Sequence, residues 1–328
     1  MTTPQRHTPE KQPTVSVILC TYNGERYLRE QLDSILSQSY PLHEIIIQDD
    51  CSTDSTPDIL RHSASKHPQI RLFLNSENMG FNRNFHSAVM KATGDYVAIS
   101  DQDDIWYSQK IAQQVATIGT CDLCFTAYHR DPTYSPDCHV AVSPTANIER
   151  LAFVSVIPGH TMLLRRTFAQ DQNNWRAHTF YDWCWLICAL YGNGVARCDE
   201  PLNWHRPHSA STISKMHAGA GQHISQHPTW QPYVYGYRMF RQLQQKRSFQ
   251  AFYQLIKNKS EGRPDDIGRR IAELMTSTSM ADFLRLCRLC CQHRHDIYLG
   301  HPGRGLIGML RGYCYPLIIS YGNTNFNL

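Results

Sequence analysis

Short apolar runs alternate with amphipathic stretches through the first hundred residues. Val15-Ser-Val-Ile-Leu19 is a β-rich run. Gly24 to Ser39 follows, with Leu28, Leu32, Ile35 and Leu36 at helical spacing, and Pro41 ends it. Glu44-Ile-Ile-Ile47 reads as a second strand, and Asp54 to Lys66 as a helix with Pro57 in its first turn. Ile70 to Leu74 is a third strand. Asn82 to Lys91 is a third helix that buries Phe85, Ala88 and Val89, and Gly94 breaks it before a fourth strand, Tyr96-Val-Ala-Ile99. This βαβαβαβ order predicts an α/β protein with a mostly parallel sheet flanked by helices.

Further along, the pattern loosens. Residues 129–150 read as a loop, Gly159 to Arg165 as a strand and Phe180 to Tyr191 as a helix. Residues 209–232 are rich in Ser, His, Gly and Gln and read as a mobile loop. From 234 helical spacing returns, with Ile267, Ile271, Leu274 and Met275 on one face. The expected organisation is a loose leader over 1–13, an α/β domain over 14–233 and a helical, basic C-terminal extension over 234–328.

Composition sharpens this picture in two places. The 328 residues are 41% apolar, enough for a real core, which excludes global disorder. The net charge of +4 hides an asymmetry: Val234 to Leu328 carries 14 Lys/Arg against 6 Asp/Glu. A basic tail on a neutral-to-acidic body suits an anionic partner such as a membrane surface or a phosphorylated acceptor; solvated helix faces are the plainer reading. The 12 cysteines accompany a polar start and no apolar run of roughly 18 residues, so we expect free thiols in a reducing, cytoplasmic setting. Cys287, Cys290, Cys291, His293 and His295 have zinc-like spacing, as does the lone pair Cys121 and Cys124, but helical periodicity marks the larger cluster as core.

The chemistry gathers at strand ends. Open parallel sheets bind ligands beyond the carboxyl ends of their strands. Three polar clusters fall there: Cys20-Thr-Tyr-Asn23, Gln48 to Asp54, and Asp101-Gln-Asp-Asp104. Asp101 and Asp103 are two residues apart, so an extended segment sends both carboxylates to one side, with Asp104 turned elsewhere, toward a sugar. Such a pair suits Mg²⁺ or Mn²⁺ holding a diphosphate; an Asp-rich turn is the alternative. Neither G-x-G-x-x-G nor a P-loop is present.

The stretches "VSVILCTYNGERYLREQLDSILSQSY", "IIIQDDCSTDST", "NMGFNRNF" and "YVAISDQDDIW" resemble the successive blocks of glycosyltransferase family 2. "SDQDDIW" is similar to its rhamnosyltransferase-like branch. The resemblance is strong over 14–110 and weaker over 157–213, where "PGHTMLLRR", "YDWCW" and "EPLNWHRPHSAST" follow in order. It implies a GT-A fold and a metal-dependent transfer of a sugar from a nucleotide diphosphate donor.

Residue by residue, the resemblance gives Thr21, Tyr22, Asn23, Asp49, Asp50, Gly80, Arg83, Asn84, Asp101, Asp104 and Arg206 to the donor. It gives Asp103, Asp101 and His208 to a Mn²⁺ or Mg²⁺ ion. Asp182, at the start of a later helix, takes the place of the base that removes the acceptor proton. Gly159, His160 and Trp183 fall on the acceptor side. His205 stands where the family has Tyr, Ser211 where Asn is common, and Cys51 where "DDGSTD" has Gly. The implied partners are a dTDP- or UDP-linked sugar and a saccharide or lipid-linked acceptor of surface polysaccharide or lipopolysaccharide synthesis, with no nucleic acid. The basic tail adds a peripheral membrane contact as an option. The rivals are a nucleotidyltransferase and a sugar-nucleotide-binding scaffold that has lost catalysis.

Overall fold

The computed structural model describes residues 12–131, 133–134, 140–208, 230–298, 305–321, 323 and 326. The leader, except for its last two residues, and the loop after 208, including Ser211, lie outside the described residues.

The first half follows the alternation. Strands β1 (Val15–Thr21), β2 (Glu44–Asp49), β3 (Ile70–Leu74) and β4 (Tyr96–Ser100) are joined by helices α1 (Leu28–Leu36), α2 (Thr56–Lys66) and α3 (Phe81–Val89). Every residue of β1, β2 and β4 is buried, as expected of strands covered on both faces. Next come β5 (Ile105–Trp106), α4 (Lys110–Ile118), β6 (Leu123–His129), β7 (Ala141–Val142) and α5 (Ile148–Leu151). The stretch 129–150 is thus not all loop. A 3₁₀ turn (Gly159–Thr161) precedes β8 (Met162–Arg165), a shorter strand than expected. Helices α6 (Arg166–Ala169) and α7 (Tyr181–Tyr191) lead to β9 (Val195–Trp204).

The nine strands form one sheet in the order β3-β2-β1-β4-β8-β6-β9-β5, with β7 on β6. The pairs β1·β2, β2·β3, β1·β4 and β6·β9 are parallel, and β8, β5 and β7 run against their neighbours. The sheet is therefore mixed: four of these pairings are parallel and four antiparallel, while six strands run one way and β8, β5 and β7 the other. In register, Thr21 sits opposite Asp49 and Leu19 opposite Ser100. The carboxyl ends of β2, β1 and β4 thus lie side by side and carry all three polar clusters.

Helices α8 (Gln231–Leu243), α9 (Arg247–Lys259), α10 (Ile267–Thr276), α11 (Met280–Gln292), α12 (Arg294–Ile297), α13 (Gly305–Tyr313) and α14 (Tyr315–Ser320) complete the fold. They are not a separate layer. Phe249, Phe252, Ile256 and Leu286 belong to the same buried cluster as Val97, Ile99, Phe125 and Trp183. Cys287 and Cys290 are in that cluster too, and burial pushes the Cys287 thiol up to about 12.

Candidate active site

The two-residue strand β5 sets the site. Ile105 pairs with Trp204 and Trp106 with Asn203 in antiparallel register. Continuing that register by one step brings Asp104 to His205, and by two brings Asp103 to Arg206. The side chains follow. His205 Nδ1 lies 3.0 Å from Asp104 Oδ1, which also accepts the Arg206 N–H at 3.2 Å. The Arg206 guanidinium donates to the Asp103 carbonyl at 3.0 Å and to Glu30 of α1. His208 Nε2 lies 2.7 Å from Asp103 Oδ2. Two segments a hundred residues apart thus make one site.

Asp101 is different. It is half-buried, and among the described residues none hydrogen-bonds its carboxylate. Burial first, then the negative charges of Asp104, Asp103 and Asp182, push its pKa well above the usual carboxylate range. A carboxylate without a donor among three others is the environment a divalent cation relieves. Asp103 and His208 are in direct contact, but Asp101 does not close with them into one three-ligand group; among the described residues the groups that do so are Asp104, His160 and His205, and Glu149, His293 and Asp296.

Asp104 turns away from this opening. It is wholly buried, with His160 Nδ1 at 3.4 Å on its other oxygen. Burial raises its pKa, but the imidazoles of His160 and His205 and the Arg206 N–H outweigh that and hold it below the usual range. The two imidazole rings stack at 4.9 Å and 5°. They divide the charge: burial drives His160 down to about 3, whereas Asp104 overcomes desolvation and raises His205. Asp104, His160 and His205 have ligand atoms close enough for a metal. Asp104 anchors the β9 end here, with its side chain 0% exposed.

Asp182 lies in the first turn of α7. Its carboxylate accepts the Trp183 N–H at 2.7 Å and the Gly159 N–H. Burial raises it to about 6, and those donors offset only part of the penalty. The Gly159 position is tight: a Cβ there would overlap the Tyr181 hydroxyl and sit 2.9 Å from its Cζ. Fully buried Lys110, lowered by burial to about 7, ties the same turn to α4 through the His160 carbonyl at 3.0 Å.

The nucleotide-side residues divide into framework and surface. Thr21 Oγ1 donates to Asp49 at 2.7 Å, and Asp49 also accepts the Ser52 N–H and hydroxyl. Asp50 accepts the Met79 and Gly80 N–H groups, each at 2.9 Å, so it anchors the turn into α3. Gly80 has φ 82°, which favours glycine. Asn23 (φ 48°) accepts the Thr53 N–H, Tyr22 is 44% exposed, and Arg83 is exposed and makes no ion pair among the described residues. Cys51 has φ 63°, the left-handed conformation that its missing glycine would favour.

Three expectations need correcting. Trp183 is 0% exposed: its ring packs tilted at 35° on Phe252 at 3.9 Å and its indole N–H bonds the Leu151 carbonyl, so it offers no face to an acceptor. The His160 ring is buried against Asp104 and reaches no open acceptor side. Asn84 is 1% exposed and spends its amide on the Gln48 carbonyl and Asn75, so it supports the nucleotide side from within.

Other site residues escaped the sequence reading. Gln102 clamps the Tyr22 backbone through both its amide atoms. Tyr27 carries the Arg206 guanidinium over its ring at 4.3 Å and packs beside His208 at 5.1 Å. Tyr27 and Glu30 are three apart at the start of α1, a spacing that puts both on one helical face and was there to be read.

The profile of Glycosyl transferase family 2 matches residues 16–185, just over half the chain. The chain belongs to that family. A glycosyltransferase of Nostoc sp. with no assigned function, alr2836, is 27% identical over 213 residues, 60% of this chain and 66% of its own length. A Bacillus subtilis protein provisionally assigned as the teichuronic acid biosynthesis glycosyltransferase TuaG is 39% identical over 119 residues. That match spans 36% of this chain and 47% of TuaG. Among solved structures, S. aureus TarS 1-349 in complex with UDP-GlcNAc superposes with a TM-score of 0.53 at 17% identity, over 94% of this chain and 91% of that one. The Pyrobaculum calidifontis mannosyltransferase PcManGT, in complex with GDP-Man and Mn²⁺, gives 0.52 at 18% identity, over 99% and 91%. At such identities these two likenesses speak for the fold, the GT-A arrangement.

Proposed function

We propose that the protein is an inverting, metal-dependent glycosyltransferase that moves a sugar from a nucleotide diphosphate to a saccharide acceptor. The observation that carries this is the Asp103–His208 contact beside a donorless Asp101 carboxylate that the negative charges of Asp103 and Asp182 help to raise. Asp182 takes the acceptor hydroxyl proton as that oxygen bonds to the anomeric carbon and the sugar–diphosphate bond breaks. Gly159 and Trp183 N–H groups hold the carboxylate in place, and its pKa near 6 keeps it ionised yet basic at neutral pH. Asp103 and His208, with Asp101 beside them, would hold a Mn²⁺ or Mg²⁺ ion, which would supply charge neutralisation for the leaving diphosphate when bound. Arg83, exposed beside the Gly80 turn, meets the nucleotide.

The donor we favour is a dTDP- or UDP-sugar, with rhamnose first on the strength of "SDQDDIW". The acceptor we favour is an intermediate of a surface polysaccharide, a reading supported by the likeness to TuaG, and the compartment we favour is the cytoplasm. Calorimetry with dTDP, UDP and GDP, in Mn²⁺ and then in EDTA, tests the reading. Metal-dependent binding of one nucleotide supports it and names the donor's base. A folded protein that binds none of them overturns it in favour of a scaffolding homologue.

A further inference from the structure

Helix α13 is packed by its small residues. Gly308 and Gly312 are buried, and a Cβ on Gly312 would sit 3.0 Å from the Cα of Cys291 in α11. Leu306, Ile307 and Leu310 face outward, 84%, 71% and 63% exposed. An amphipathic helix normally buries its large apolar residues, so α13 presents an uncovered apolar stripe.

The stripe continues beyond α13. The Tyr298 hydroxyl donates to the Arg311 carbonyl in α13. Burial, and then the proximity of Tyr233, raises that hydroxyl to about 12. Tyr233 lies in the first turn of α8, beside Trp230 and Val234, which are also exposed. Helix α8 in turn packs on α14, with Gly236 against the Leu317 backbone. Helices α8 and α13 thus both expose apolar residues, and α14 packs against each of them.

Charge names the partner. No Asp or Glu occurs from Pro201 to Ser260 or from Ile297 to Leu328, the stretches that supply this face. Arg238 and Arg311 are exposed within them. Exposed leucines, tyrosines and a tryptophan alongside arginines, with Asp296 the carboxylate next in sequence, match an interfacial helix on anionic lipid. A second copy would set like charge against like.

We propose that this face seats the protein on an anionic bilayer, with α13 in the headgroup layer and Leu306, Ile307 and Leu310 among the upper acyl chains. The contact is peripheral: among the described residues no helix is long and apolar enough to cross a membrane. No residue of this face belongs to the candidate active site, so nucleotide binding and seating fail or succeed separately.

Flotation of the full chain with vesicles tests this, using phosphatidylcholine alone and phosphatidylcholine with about 30 mol% phosphatidylglycerol, at near-physiological salt. We expect flotation with the anionic vesicles and at least about tenfold less with the neutral ones. The Leu306→Ser/Ile307→Ser/Leu310→Ser variant should lose about tenfold or more of that binding with its melting temperature unchanged. Should that variant misfold, Leu306→Ser alone, at the most exposed position, carries the test. Three results would overturn the proposal: no flotation with either vesicle, flotation that the substitutions leave intact, or a dimer in sedimentation that they dissociate while vesicles stay unbound.

Discussion

His208 Nε2 lies 2.7 Å from an Asp103 carboxylate oxygen, although 105 positions separate them in the chain. The β5–β9 pairing makes that meeting possible, and it ties the end of β9 to the cation site we propose. Asp103→Ala should abolish Mn²⁺-dependent UDP or dTDP binding, and His208→Ala should weaken it about 10–100-fold. Calorimetry with and without EDTA reads both. Equal binding by wild type and Asp103→Ala would remove Asp103 from the ligand set.

Asp182→Asn should cut transfer about 10²–10⁴-fold and leave nucleotide binding near wild type. The wild-type rate should fall about tenfold per pH unit below about 6, where the base is protonated, and level off above it. The stability sign is opposite. An acid raised in the folded state binds its proton better there than in the unfolded chain, so this group's contribution falls as pH climbs from the ordinary carboxylate range through about 6. Steady-state rates between pH 5 and 8, beside melting curves over the same range, check both signs.

Gly159→Ala should slow transfer by about tenfold or more, because the added methyl must displace either the Tyr181 ring or the Gly159 N–H that holds Asp182. Tyr181 cannot swing clear: it is 4% exposed and packed against Phe85 at 4.5 Å and Trp185 at 5.1 Å. A loss confined to kcat, with nucleotide affinity intact, is the expected signature. An unchanged rate would show that the turn has room to give.

Lys110 is fully buried and lowered to about 7, so the unfolded chain holds its proton more tightly than the folded one. Its contribution is fully present above the ordinary lysine range and is lost as pH falls through about 7. Against Lys110→Met, wild type should therefore gain about 2 kcal/mol between pH 6 and pH 8.5. Urea denaturation at the two pH values measures the difference. A constant gap would mean that Lys110 stays charged.

Cys51→Gly should stabilise the fold by about 0.5–1 kcal/mol. Cys51 holds φ 63°, where a side chain costs about 1–2 kcal/mol relative to glycine, and the more flexible unfolded chain returns part of the gain. Thermal melting decides it.

The first four strands were legible because each is a bounded apolar run followed by an amphipathic helix. The strands that finish the sheet were not. Leu123–His129 begins inside Cys121-Asp-Leu-Cys124, which reads as a motif before it reads as a strand. In β9 the register with β6 jumps from Thr126·Cys198 to Ala127·Pro201, so Asp199 and Glu200 bulge out and break the alternation a strand shows in sequence. Asp103, Asp182 and His208 could be picked out by type and order. The burial of Trp183 could not, because α7 is enclosed on nearly all sides by elements from both ends of the chain.

Helix α7 belongs to two neighbourhoods at once. Its first turn carries Asp182 at the mouth of the sheet, and the next residue, Trp183, is gripped by Phe252 of α9 and by Phe326 near the carboxyl end. The family profile stops at 185, in the middle of this helix. The residues that follow the sheet are therefore part of the mount that aims Asp182, the base we propose. Drift in residues that touch neither sugar nor nucleotide can then retune the angle at which an acceptor hydroxyl is met.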